Sequence, residues 1–262
     1  MTRLLEDCAA GRLCLGTLLM DSGTLAIAAL AKAGFSFVFL DQMYGTLDWS
    51  DVHHMATAAR LAGITSVVRI QSFPWSEAGA PADGRLAADA ARAAALGADG
   101  VRCSVSAADD VRRLATVTHD WHRVPMLPRD AAEFEAAGRE AVAGLVLMPI
   151  IETRRALDEL DQIMALDGVN TVMISGTDLP RELGVPFEYE HPLVWDYLDR
   201  AVDLGVKHGV AVGFNSGYAF HGIQETIDRV GRLRSHGVGF VLIQTLDHIV
   251  YSYASLIVEG ST

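Results

Sequence analysis

Residues 145–178 read LVLMPIIETRRALDELDQIMALDGVNTVMISGTD, and they contain the clearest folding signal in the chain. Two apolar runs, at 145–151 and 171–174, flank a segment at 153–165 in which apolar residues recur every three or four positions. Short continuous apolar runs are typical of parallel strands buried on both faces, and such strands need a crossover connection, usually a helix. The stretch therefore predicts a strand–helix–strand unit.

The same alternation extends over the rest of the sequence. The predicted strands span residues 14–19, 35–40, 66–70, 100–103, 145–151, 171–174, 210–214 and 240–243. The predicted helices span residues 24–33, 49–62, 84–96, 109–117, 131–141, 153–165, 192–207, 223–235 and 248–258. Eight strands, each followed by a helix, predict an α/β fold of the (β/α)8 TIM-barrel type, with an open doubly wound sheet as the alternative. No linker or repeat divides residues 1–262, which predicts a single domain.

The composition restricts the class of protein. The chain has 262 residues, half of them hydrophobic, and a net charge of −12. Such a charge argues against nucleic acid or an anionic membrane as the main partner. No apolar stretch is long enough to span a bilayer, no secretory signal is recognised, and the three cysteines lack metal-ligand spacing. We therefore expect a cytoplasmic protein that acts on a small molecule.

Polar residues at the ends of the predicted strands indicate where chemistry takes place, because active sites of such barrels lie at the carboxyl ends of the strands. Asp41, Glu152 and Asp178 each follow an apolar run, and Arg69 interrupts one. Two carboxylates suit Mg²⁺ or Mn²⁺ and leave coordination positions for substrate oxygens. An arginine beside them is suited to two-point binding of a carboxylate. The pattern predicts a site for a 2-oxo acid chelated to a divalent cation that stabilises an enolate.

A purely structural interpretation competes with this one for the two carboxylates. Asp178 would cap the turn before Pro180, and Glu152 would lie in the first turn of the helix that follows it. Arg69 is harder to explain in this way, because burying an unpaired guanidinium costs a large amount of folding free energy.

The segments at 145–153 and 168–179, followed by Leu183-Gly184, closely resemble the HpcH/HpaI aldolase and citrate lyase family. The resemblance implies a phosphoenolpyruvate/pyruvate-type barrel and a class II, metal-dependent aldolase acting on pyruvate-like 2-oxo acids. It implies that Glu152 and Asp178 bind the metal and that Arg69 contacts the substrate. It also implies a homo-oligomer, a trimer or hexamer, in which the C-terminal helix packs on a neighbouring subunit.

We further expect the turn of Ser175, Gly176 and Thr177, directly before Asp178, to contact the substrate. This turn joins the predicted sixth strand to one of the two expected metal ligands.

The sequence departs from the family pattern at two positions that matter for the reaction. Family aldolases usually carry a histidine where this chain has Tyr44, and that histidine forms a proton-transfer dyad with the aspartate matching Asp41. They often carry a glutamine where this chain has Ile150. Tyrosine is a poor base near neutral pH because its hydroxyl ionises only at about pH 10. We therefore predict that Tyr44 donates a hydrogen bond or a proton, with Asp41 or water as the base; the alternative is that Tyr44 only fills space.

Three functions remain open on this evidence. The first is a metal-dependent carbon–carbon lyase or carboligase that acts on a 2-oxo acid through a metal-bound enolate. The second is a metal-dependent decarboxylase or hydrolase of an oxo acid. The third is a catalytically silent barrel that serves as a binding or structural subunit.

Overall fold

The computed structural model describes residues 2–70, 83–119, 146–216 and 222–260. Eight parallel strands pair in chain order, and the first pairs with the last, so the predicted TIM barrel is confirmed and the open sheet is wrong. The strands are β1 (Cys14–Leu19), β2 (Phe37–Asp41), β3 (Thr65–Arg69), β4 (Gly100–Val105), β5 (Val146–Ile151), β6 (Thr171–Ile174), β7 (Ala211–Asn215) and β8 (Phe240–Thr245).

Helices alternate with the strands, and the first of them contributes Leu4 to the apolar cluster inside the barrel. They are α1 (Arg3–Ala9), α2 (Thr24–Ala33), α3 (Trp49–Ala62), α4 (Asp83–Ala95), α5 (Ala108–His119), α6 (Arg154–Asp158), α7 (Leu160–Met164), α8 (Leu179–Glu182), α9 (Pro192–His208), α10 (Ile223–Ser235) and α11 (Leu246–Gly260). The predicted helix at 131–141 lies outside the described residues. Within the described ranges, no helix is both long and apolar enough to cross a membrane.

The helix predicted at 153–165 is wrong in one respect, because the structure divides it into α6 and α7 at Glu159. The backbone of Glu159 leaves the helical region, with φ −90° and ψ 10°. Its carboxylate accepts a hydrogen bond of 2.8 Å from the amide of Ala108, the first residue of α5, and another from Arg155. The side chain thus caps α5. The apolar period within one segment cannot predict such a contact with another segment.

The strands β2, β4, β7 and β8 end later than the apolar pattern predicts, whereas β3 ends one residue earlier. Asp41 and Arg69 are the last residues of β2 and β3, and they are direct cross-strand partners. Arg69 is in turn the partner of Arg102 on β4. Because alternate residues of a strand face the same side, these three side chains form one layer across neighbouring strands.

Beneath this charged layer, the barrel interior is filled by apolar side chains. The rings of Phe37, Phe39 and Phe240 are fully buried, with centroids of Phe37 and Phe39 4.9 Å apart and those of Phe37 and Phe240 5.8 Å apart. Two of the rings lie over glycines on adjacent strands, since Gly16 pairs with Phe37 and Gly213 pairs with Phe240. A Cβ atom built on Gly16 would lie 2.1 Å from the Phe37 ring, and one on Gly213 would lie 2.0 Å from the Phe240 ring.

We predict that Gly16→Ala lowers the free energy of unfolding by about 1–3 kcal/mol, the usual range for overpacking a filled core. The added methyl group would displace a ring that has no free space to enter. Denaturant unfolding measures the loss. Gly231→Ala is the matched control, because a Cβ there meets no atom within 4 Å. In the middle of α10 that change should stabilise the protein by about 0.5–1 kcal/mol. Equal stability of the two variants would contradict the packing argument.

Candidate active site

A cavity of about 340 Å³ opens at the carboxyl ends of the strands. Its described lining combines apolar side chains with arginines, carboxylates and hydroxyls. These residues are Leu18, Tyr44, Arg69, Arg102, Ile150, Glu152, Met173, Ser175, Thr177, Asp178, Arg181, Asn215, Leu242, Ile243, Gln244 and Thr245. The cavity therefore contains most of the residues selected from the sequence, and its position agrees with that of active sites in barrels of this kind.

Asp41 lies behind the cavity wall and holds Arg69 in place. Its carboxylate is fully buried, and Oδ2 lies 3.3 Å from Nη1 of Arg69, whose side chain is 8% exposed. Oδ1 accepts hydrogen bonds from the amides of Met43 and Tyr44, at 2.6 and 2.9 Å. Every oxygen of Asp41 is thus engaged, and the residue fixes both the arginine and the turn that carries Tyr44.

Two aromatic rings accompany the arginines of the cavity. The Tyr44 ring lies over Arg69, with 4.8 Å from its centroid to the guanidinium carbon, and Tyr44 is 61% exposed. Phe39 lies under Arg102 at 4.2 Å. One guanidinium is therefore covered on the solvent side, and the other rests on the apolar filling of the barrel.

Glu152 is a buried carboxylate, only 9% exposed, at the end of β5. Burial raises the pKa of its carboxyl above the ordinary value, and the negative charge of Asp178 raises it further. The Ser104 hydroxyl and the positive charges of Arg69 and Arg102 oppose this rise without cancelling it. A cation bound here would remove the repulsion between the two carboxylates.

Asp178 occupies the N-cap position of α8, but its side chain caps nothing. Its Oδ2 accepts a hydrogen bond of 2.7 Å from the Ser175 hydroxyl, and its Oδ1 lies 2.9 Å from Nη2 of Arg181. Thr153, rather than Glu152, caps the helix that follows β5. The interpretation of both carboxylates as helix caps is therefore wrong.

The turn before Asp178 is held against β7. The Gly176 amide donates a 2.5 Å hydrogen bond to Oδ1 of Asn215, and a Cβ at Gly176 would lie 2.4 Å from the Asn215 carbonyl oxygen. Only glycine fits at this position. Ser175 and Thr177 face the cavity, whereas the amide of Gly176 is used to fix the turn.

The residues Arg102 and Arg181 were not identified from the sequence, although both line the cavity. Arg102 is 4% exposed and interrupts the apolar strand β4. An arginine inside an apolar strand was also the signal that identified Arg69, so the same signal identifies Arg102. Arg181 lies in a four-residue helix without an apolar pattern, so no sequence signal pointed to it.

The pair of carboxylates fits a hard divalent cation in its donor chemistry. In the part of the chain that the structure describes, no group of three or more His, Cys, Asp and Glu residues could hold a metal. Glu152 and Asp178 would thus supply two ligands, and oxygens of water or substrate would supply the others. Arg181 would have to release Oδ1 of Asp178 for the cation to bind there.

Comparison with known proteins places this site in a family context. The family described as HpcH/HpaI aldolase/citrate lyase matches residues 49–241. Over 176 residues the chain is 32% identical to a hydroxypyruvate/pyruvate aldolase of Rhizorhabdus wittichii, a match spanning 66% of each chain. Over 204 residues it is 27% identical to a 4-hydroxy-4-methyl-2-oxoglutarate aldolase of Chaetomium globosum, covering 71% of this chain and 70% of that one.

Solved structures share the fold over the whole chain. An HpcH/HpaI aldolase/citrate lyase family protein from Burkholderia cenocepacia has a TM-score of 0.79 at 21% identity, covering 100% of this chain and 99% of that one. Macrophomate synthase has a TM-score of 0.71 at 15% identity, covering 99% and 89%. Together with the family match, which spans well over half of the sequence, these findings show that the chain belongs to the HpcH/HpaI aldolase/citrate lyase family.

Proposed function

We propose that this protein is a metal-dependent carbon–carbon lyase or carboligase that acts on a 2-oxo acid. The observation that carries the proposal is the grouping of Arg69 with Glu152 and Asp178 in one cavity. An oriented arginine and a pair of carboxylates are the groups needed to bind a 2-oxo acid by its carboxylate and to hold a cation beside it. The two aldolases described above, with which the chain aligns, support the same reaction class.

The division of roles follows from the contacts. Arg69 binds the substrate carboxylate, and its pairing with the buried Asp41 keeps the guanidinium from turning away. Glu152 and Asp178 would hold Mg²⁺ or Mn²⁺, and the cation would supply Lewis-acid stabilisation of negative charge that develops on the substrate. Ser175 and Thr177 line the cavity beside Asp178 and contact the substrate oxygens. Asp41 is a positioning residue in this arrangement, because its oxygens are already occupied.

Enolate formation can be tested without knowledge of the physiological substrate. We expect the protein incubated with Mg²⁺ or Mn²⁺ in deuterated water to exchange the methyl protons of pyruvate, as measured by proton NMR. Exchange would also separate this proposal from a catalytically silent barrel, which binds without exchange. Loss of CO₂ or hydrolysis without any exchange would instead favour a decarboxylase or hydrolase.

We predict that Tyr44→Phe retains turnover within about threefold of wild type, because the contact observed for Tyr44 involves its ring and not its hydroxyl. The ring lies at the mouth of the cavity, and its observed contact is with the Arg69 guanidinium. A cation–π contact at an exposed site contributes about 0.5–1 kcal/mol, and phenylalanine preserves it. Tyr44→Ala is the comparison variant and should lose several-fold in kcat/KM. If Tyr44→Phe lost about a hundredfold, the hydroxyl would have the proton-transfer role predicted from the sequence.

We also propose that the protein is a homo-oligomer, a trimer or hexamer, in which α11 packs on a neighbouring subunit. None of the residues of this helix is buried in the single chain. Its exposed large side chains are Val250, Tyr251, Tyr253, Leu256, Ile257 and Val258. An apolar surface of this kind normally lies in an interface. Light scattering coupled to size exclusion measures the subunit number.

A further inference from the structure

Arg181 is a third arginine of the cavity, and its surroundings differ from those of the other two. Arg69 and Arg102 are 7% and 4% exposed. The Arg181 side chain is 55% exposed and contacts Oδ1 of Asp178 at 2.9 Å. A second and longer ion pair of 3.6 Å joins its Nε to Glu182. The cavity therefore has arginines at two depths, two of them buried and one at the mouth.

The position of Arg181 is fixed by a short, well-anchored helix. Leu179 and Pro180 of α8 are buried. Glu182 accepts a 2.6 Å hydrogen bond from the amide of Arg154, at the start of α6. The backbone at Arg181 is thus held from both sides, whereas its long side chain is half in solvent and can turn from Asp178 toward a ligand.

The net charge of the cavity favours a ligand with more than one anionic group. The described lining residues include three arginines and two carboxylates, and the buried Asp41 behind Arg69 balances the third arginine. A divalent cation between Glu152 and Asp178 would therefore leave an excess of two positive charges and would displace Arg181 from Asp178. One substrate carboxylate bound at Arg69 leaves Arg181 without an anionic partner in the cavity.

The size and chemistry of the cavity agree with a longer ligand. Its volume of about 340 Å³ lies within the range of ordinary small-molecule sites and exceeds the requirement of a three-carbon acid. Ile150 and Met173, cross-strand partners on β5 and β6, give the wall an apolar part that suits a methylene segment.

We propose that Arg181 is a specificity-determining residue that binds a second carboxylate, so that the preferred substrate is a 2-oxo dicarboxylic acid. This inference rests on the proposed function, because it takes the first carboxylate to be bound at Arg69. It assigns to Arg181 the discrimination between diacids and monoacids of the same length.

The test compares two ligands of matched shape by titration calorimetry in the presence of Mg²⁺. 2-Oxoglutarate carries a second carboxylate where 5-methyl-2-oxohexanoate carries an isopropyl group. We expect wild type to bind the diacid at least about tenfold more tightly, the effect of one charge-assisted hydrogen-bonded contact at a half-exposed site. Arg181→Gln should lose this preference while binding the monoacid within about twofold of wild type. Arg181→Lys should retain part of the preference, because it keeps the charge but not the planar fork.

The controls separate failure of this inference from failure of the proposed function. Arg155→Gln removes an arginine of similar exposure that pairs with Glu159 outside the cavity lining, and it should keep the full preference. If neither ligand nor pyruvate binds to wild type, the proposed function is wrong and the inference falls with it. If both ligands bind and Arg181→Gln keeps the preference, the inference alone is overturned. A wild type that binds both ligands equally well overturns it in the same way.

Discussion

Replacement of Glu152 by glutamine is expected to remove the divalent cation and to lower kcat/KM by about a thousandfold. Glutamine keeps the shape of the side chain but loses the charge, and only one carboxylate would then remain to hold the ion. The loss lies at the upper end of what removal of one electrostatic stabiliser produces. Metal content per chain after desalting, and pyruvate deuterium exchange, measure the two effects separately.

The stability of the metal-free variant provides an internal control for this experiment. Because the pKa of Glu152 is raised in the folded protein, its contribution to stability is fully present at low pH and is lost as the pH rises through that pKa. A neutral glutamine avoids this loss. Metal-free Glu152→Gln should therefore have a higher Tm than metal-free wild type at neutral pH, with the difference shrinking on acidification. Glu188→Gln, at an exposed loop position, should change neither metal content nor Tm. Stoichiometric metal in Glu152→Gln would refute the assignment of this ligand.

Arg69→Lys is expected to weaken binding of pyruvate-like acids by about 2–3 kcal/mol, or roughly 30- to 150-fold in Kd. Lysine keeps the positive charge beside Asp41, so the buried carboxylate is not left without a cation. It cannot copy the two parallel hydrogen bonds of a guanidinium. Titration calorimetry with pyruvate in the presence of Mg²⁺ measures the change directly.

Asp41→Asn and Arg200→Lys complete this comparison. Asp41→Asn leaves Arg69 in place without the charge that orients it, so we expect a weaker effect in the same direction. Arg200 is exposed on α9 and outside the cavity lining, so Arg200→Lys should bind pyruvate as wild type does. Unchanged affinity in Arg69→Lys would exclude Arg69 as the carboxylate anchor.

The fold was predictable from the sequence because its signals are local. The bounds of β1, α2, α3, β6 and α10 agree with the structure to the residue. In α2 and α3 the apolar pattern is closed by Gly34 and Gly63, both in the left-handed conformation. The helix α1 was not predicted, because seven residues are too few to display a period.

The site was predictable only in part, because its remaining features depend on contacts between distant segments. Strand ends alone indicated Arg69, Glu152 and Asp178, and the cavity contains all three. The pairing of Asp178 with Arg181 depends on the short helix α8, which no pattern in the sequence predicts. The support of Arg69 by Asp41 depends on the register of β2 against β3.

The arrangement of the barrel interior in layers has a consequence for how this protein can change. Asp41 and Arg69 end their strands and Arg102 lies beside Arg69 within β4, and the phenylalanine rings that fit over Gly16 and Gly213 lie beneath this charged layer. Packing strain and cavities therefore arise in the phenylalanine layer, whereas substitutions above the charged layer, at the exposed Tyr44 and Arg181, alter contacts next to open solvent. A mutational library confined to this mouth of the cavity should yield folded variants with new substrate preferences. The same number of changes in the phenylalanine layer should yield insoluble protein.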